Sequence, residues 1–106
     1  MNDLRSSEVV RCESPDRDTL ALSGALTFAN AAQMLAAAGR ALRDGAQTRL
    51  DLAAVTRADS AGLACVLVLL AQASRDGRAL RVSNLPESLR ALAEVCDAGA
   101  LICNRP

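Results

Sequence analysis

The sequence predicts an α/β fold: a mixed β-sheet with helices packed on it, in a single domain. Three observations carry this expectation. Short apolar runs suited to strands alternate with longer runs whose apolar residues recur at helical spacing, the order expected when strands are joined by helical crossovers. The 106 residues suffice for one core but not for two. The hydrophobic fraction of 51% is far above that of a disordered chain.

Residues 1–7 are expected to form a disordered tail, leaving 8–106 as the domain. Val9-Val10 place a first strand over residues 8–12, and Ser14-Pro15-Asp16 marks the turn after it. Over residues 19–23, Leu20 and Leu22 alternate with smaller residues, as in a half-buried strand paired antiparallel with the first. Gly24 is expected to end that strand. Thr27 or Asn30 then caps a helix whose Ala31, Met34, Leu35, Ala38 and Leu42 share one face, with Asp44-Gly45 as its stop. A central strand over 50–52 leads through a turn to Asp59-Ser60 and a long uncharged helical run ending near Ser74. Beyond Gly77, residues 80–83 read as a strand, and Pro86 suits the first turn of a helix with Leu89, Leu92, Ala93 and Cys96 on one stripe. Gly99 ends this helix, and Leu101, Ile102 and Cys103 suit a last edge strand.

Composition excludes several classes of function. Acidic and basic residues balance at 12 each, every base is Arg, and Phe28 is the one aromatic residue. Neither the basic surface nor the stacking platforms of a nucleic-acid binder are available. No run stays apolar over the ~20 residues that span a bilayer, so direct membrane insertion is not expected. The chain has no His, which removes the commonest general base and metal ligand. Cys12, Cys65, Cys96 and Cys103 lack Cys-x-x-Cys spacing and read as small buried hydrophobes. Asp51 and Asp59, both expected near the carboxyl end of the central strand, lack a partner base and further metal ligands. No catalytic, cofactor-binding or metal site is therefore expected, and a binding module is the better class. The N-terminus lacks the pattern of a secretory signal, which points to the cytoplasm and reduced thiols.

The start of the central helix carries the most information. Asp59 or Ser60 is a good N-cap, because a side-chain oxygen there accepts an otherwise unpaired amide hydrogen. Ser60 then lies at the positive end of a helix, where a phosphate or an anionic partner group is favoured, although a plain cap serine explains the residue as well. Ala61, Gly62 and Ala64 would let a partner approach closely, and Arg57 just upstream suits a partner carboxylate. Along the helix, Leu63, Val66, Leu67 and Leu70 are expected to face the sheet. A second set, Ala64, Cys65, Val68 and Leu69, is covered by a neighbouring helix or forms a binding surface.

Asp-Ser-Ala-Gly-Leu at residues 59–63, preceded by Leu-Asp-Leu-Ala-Ala-Val-Thr, resembles the signature of STAS domains. Asp51, Asp59, Ser60, Gly62 and Leu63 match it. Arg57-Ala58 before Asp-Ser, together with Thr19-Leu20-Ala21-Leu22-x-Gly24-x-Leu26, is similar to the MlaB-like STAS subunits of the Mla phospholipid ABC transporter. The resemblance implies a STAS fold and a non-catalytic accessory subunit bound to the cytoplasmic ATPase of such a transporter, peripheral to the inner membrane through that complex. It makes Ser60, Arg57, Asp59, Ala61, Gly62 and Ala64 the candidate partner-binding residues. The alternative it leaves open is an anti-sigma factor antagonist, with Ser60 phosphorylated by a partner kinase and the added charge disrupting docking. Gly24-Ala25-Leu26-Thr27 lacks the two acids many sigma-type domains carry there.

Overall fold

The computed structural model describes residues 11–95. The expected tail over 1–7, the first residues of the first strand, Cys96, the Gly99 stop and the edge strand at 101–103 lie outside the described residues. Strands β1 (Arg11–Asp16) and β2 (Thr19–Leu26) come first, followed by helix α1 (Ala31–Asp44) and strand β3 (Arg49–Ala58). Helix α2 (Ser60–Arg75), strand β4 (Arg81–Ser83) and helix α3 (Glu87–Val95) complete the order. The sheet runs β1-β2-β3-β4, with β1 antiparallel to β2 and the other pairs parallel. Both crossovers step in the same direction across the sheet, so right-handed connections place α1 and α2 on one face. There α2 packs between α1 and α3.

Burial follows the alternation of the strands. Leu20 and Leu22 of β2 and Leu50 and Leu52 of β3 are fully buried, and they meet Met34, Leu42, Val66, Leu69 and Leu89 from the helices in one core. Burying each such side chain contributes about 1.5–3 kcal/mol, which is what holds the helical layer to the sheet.

Three boundaries differ from the sequence expectation. Strand β1 continues through Ser14-Pro15-Asp16, and the turn falls at Arg17-Asp18, where the Asp18 amide donates to Asp16 Oδ1 at 2.9 Å. Among the described residues β1 is an edge strand, which tolerates Pro15 because one side of it has no ladder to complete. Gly24 does not end β2: it takes φ 94° inside the strand, where the register with β3 shifts, and pairing resumes to Leu26. Here glycine permits a bulge. Finally, β3 runs ten residues to Ala58, so no turn precedes Asp59.

The buried side of α2 is also rotated from the expected stripe. Leu63, Cys65, Val66, Leu69 and Ala73 are buried, while Leu67 and Leu70 are only half-buried. Cys65 and Leu69 belong to the second apolar set and are inside the core, whereas Ala64 is exposed and Val68 remains 45% exposed. Gln72 Nε2 donates to the Gly39 carbonyl at 3.1 Å, fixing α2 against α1 where the small Gly39 lets them come close.

Candidate functional site

The site forms where β2 and β3 end and α2 begins. A single residue, Asp59, separates β3 from α2, and its extended backbone (φ −129°, ψ −168°) still pairs with β2, its amide donating a hydrogen bond to the Leu26 carbonyl at 3.2 Å. Its carboxylate does two tasks. Oδ1 accepts from the amides of Ala61 at 2.9 Å and Gly62 at 3.2 Å, capping α2. Oδ2 accepts from the Phe28 amide at 3.1 Å, tying the β2–α1 loop to the start of α2. The Phe28 amide, more than the Gly62 and Ala61 amides, holds the Asp59 carboxyl below its ordinary value of 3.8, against an opposing effect of partial desolvation.

Asp59, not Ser60, is therefore the cap. Ser60 is the first helical residue, with an exposed side chain. Likewise Asn30 stands at the N-cap of α1 without making a side-chain cap bond; its Nδ2 donates to the Ala25 carbonyl at 3.0 Å. The Thr27 carbonyl accepts from the amides of Asn30 and Ala31, at 2.9 and 2.8 Å, so the loop is bonded at both ends.

Of the expected site residues, Arg57, Ser60 and Ala64 are exposed, Asp59 and Ala61 are half-buried, and Gly62 is buried. Gly62 does not leave room for a partner. A Cβ there would overlap the Leu26 carbonyl oxygen and lie 2.9 Å from the Leu26 Cβ, so the close approach this glycine allows is to β2 of its own chain. Arg57 and Asp59 line a shallow depression with Thr27, Phe28, Ala29 and Ala58. Phe28 is a member that the sequence reading passed over. The available signal was a large aromatic residue between a strand end and a helix start, where no buried stripe exists for it to join.

Asp51 does not belong to this cluster. It is the third residue of β3, roughly 25 Å along the strand from Asp59 at the usual rise per residue, and its Oδ1 accepts from the Ala53 amide and from Asn84 Nδ2. The expectation that both acids sit near the carboxyl end fails because the strand is ten residues long. Burial pushes the Cys65 thiol up to about 11, and burial together with the nearby Glu13 raises that of Cys12. Cys65 thus behaves as the expected small hydrophobe, while Cys12 is half-buried on β1. No helix among the described residues is long and apolar enough to cross a membrane.

The family model described as "Mlab, STAS domain" matches residues 10–102, nearly the whole chain. The chain belongs to the STAS domain family. Its fold is similar to that of the anti-sigma factor antagonist SpoIIAA in its unphosphorylated form. That likeness has a TM-score of 0.68 and 19% identity, and covers 89% of this chain and 85% of that one. The Bacillus cell fate determinant SpoIIAA in the phosphorylated form gives a TM-score of 0.65, also at 19% identity, over 89% of this chain and 88% of that one. At such identity these likenesses establish the STAS fold. None of the curated proteins matches this STAS domain.

Proposed function

We propose that this STAS domain is a non-catalytic accessory subunit that docks, through the start of α2, on the cytoplasmic ATPase of a phospholipid ABC transporter of the Mla type, supporting its assembly or activity. The observation that carries the reading is the Asp59-capped helix start, where Ser60 and Ala64 stand exposed one turn apart beside the exposed Arg57. Their small, neutral side chains let a partner's backbone come close, and Arg57 suits a bidentate contact with a partner carboxylate. The Mlab description of the matching family supports the choice of partner. The proposed location, peripheral to the inner membrane on its cytoplasmic side, follows from that complex.

The likeness to SpoIIAA supports a second reading, an anti-sigma factor antagonist switched by phosphorylation. The exposed hydroxyl of Ser60 in the first turn of α2 is open to a kinase and lies where a phosphate is favoured. Co-purification separates the two. Wild type should retain the ATPase of an Mla-type transporter, and Ser60→Asp and Arg57→Ala should retain less while staying folded. Failure to retain any such ATPase, with capture of a kinase that phosphorylates Ser60, would replace the first reading by the second.

A further inference from the structure

Phe28 is the chain's one aromatic residue, and it is 84% exposed. The loop backbone around it, in contrast, is held by hydrogen bonds. The Phe28 amide donates to Asp59 Oδ2, the preceding carbonyl of Thr27 accepts two amides of the α1 start, and Asn30 Nδ2 reaches back to the Ala25 carbonyl. The loop backbone is therefore held in place, so little beyond the two side-chain torsions of Phe28 remains to be ordered when a partner takes the ring up. The same carboxylate that caps α2 accepts the Phe28 amide, which ties the loop carrying Phe28 to the helix start that carries Ser60.

The geometry points to Phe28 as the anchor of the docking surface: the partner offers an apolar pocket for its ring, beside the depression formed by Thr27, Ala29, Arg57, Ala58 and Asp59. This rests on the reading of the α2 start as the docking surface. Rigid aromatic side chains are enriched at protein interfaces and concentrate binding strength. A lipid surface fits less well, because membrane-binding faces gather several apolar residues with basic ones. The other residues of the depression are small, and its two charged groups are of opposite sign.

The test measures affinity of the full chain for the transporter ATPase, comparing wild type, Phe28→Ala, Phe28→Leu and Ser60→Asp, with thermal melts of each. Every variant at position 28 keeps the amide that Asp59 accepts, and the exposed ring makes no contribution to the core, so the melts should match wild type. Phe28→Ala should weaken binding roughly 30-fold, as loss of an interface anchor does, with Phe28→Leu between it and wild type. If Phe28→Ala stays within about threefold of wild type while Ser60→Asp loses binding, the anchor is wrong and the docking surface stands. If wild type does not bind the ATPase, both fall. Binding of wild type to phosphatidylethanolamine and phosphatidylglycerol vesicles that is lost in Phe28→Ala would also overturn it, by making the ring a membrane contact.

Discussion

The two ends of helix α2 are both capped, but by opposite means. At the start one carboxylate, that of Asp59, accepts three amides, two from the helix and one from the loop carrying Phe28. At the finish the backbone caps itself. Gly77, at φ 76°, turns the chain so that its own amide meets the Ser74 carbonyl at 3.0 Å and the Arg78 amide meets that of Ala73 at 2.8 Å. Arg78 then extends its guanidinium to the carbonyls of Leu42 and Gly45, at 2.5 and 2.8 Å, and so closes the end of α1 as well. The finish carries Arg75, Asp76 and Arg78 nearly in sequence, while the helix start displays the neutral Ser60 and Ala64 beside the opposite charges of Arg57 and Asp59. The contrast separates an end built to hold two helices together from an end whose surface is left open.

Substitutions at the two ends should break this contrast in graded ways. The largest effect is expected at the start, where Gly62→Val forces a side chain into the Leu26 backbone; denaturant melts should show a loss of about 3 kcal/mol or more. Asp59→Ala removes one acceptor from three amides and should cost about 2 kcal/mol, the upper part of the range for an N-cap. That loss should depend on pH. Because the folded carboxyl titrates below its ordinary value of 3.8, the advantage of wild type over Asp59→Ala is complete above about pH 5 and fades as pH falls through the lower folded value.

At the finish, Arg78→Ala should cost about 1.5 kcal/mol, for loss of charge-assisted bonds to two carbonyls of the α1 end. Gly77→Ala should cost about 1 kcal/mol, since a side chain resists positive φ but meets nothing nearby. Ser60→Ala should be smallest, within about 0.5 kcal/mol, because its hydroxyl is exposed and Asp59 performs the capping. A loss well above that would mean that Ser60 shares the cap.

The same ends show what the sequence made legible. Strands and helices appear in the predicted order because Leu20, Leu22, Leu50 and Leu52 alternate and because Gly45 and Gly77 punctuate the helices. The extent of β3 did not show, since Ala54 and Ala58 have little strand preference of their own and are held by pairing with β2. Gly24 misled for a related reason: a glycine that ends a strand and one that bulges within it look alike until the partner's register is known. The cap was legible to within one residue, as Asp59 or Ser60, and the choice between them required seeing that Asp59 also serves the Phe28 amide. The role of Gly62 could not be read either, because a close approach within the chain and one to a partner demand the same residue.

Ser60 and Ser74 offer the most direct test of the central claim, that the start of α2 is the docking end. Both are exposed serines of one helix, one in its first turn and one in its last. The helix dipole makes Ser60→Asp neutral or slightly stabilising and Ser74→Asp slightly destabilising, by about 0.5 kcal/mol. Affinity for the transporter ATPase should run the other way. We expect Ser60→Asp to lose binding at least tenfold while Ser74→Asp binds as wild type, about 1.4 kcal/mol apart. Equal losses at the two positions, or a loss at Ser74 alone, would contradict the assignment of docking to the start of the helix.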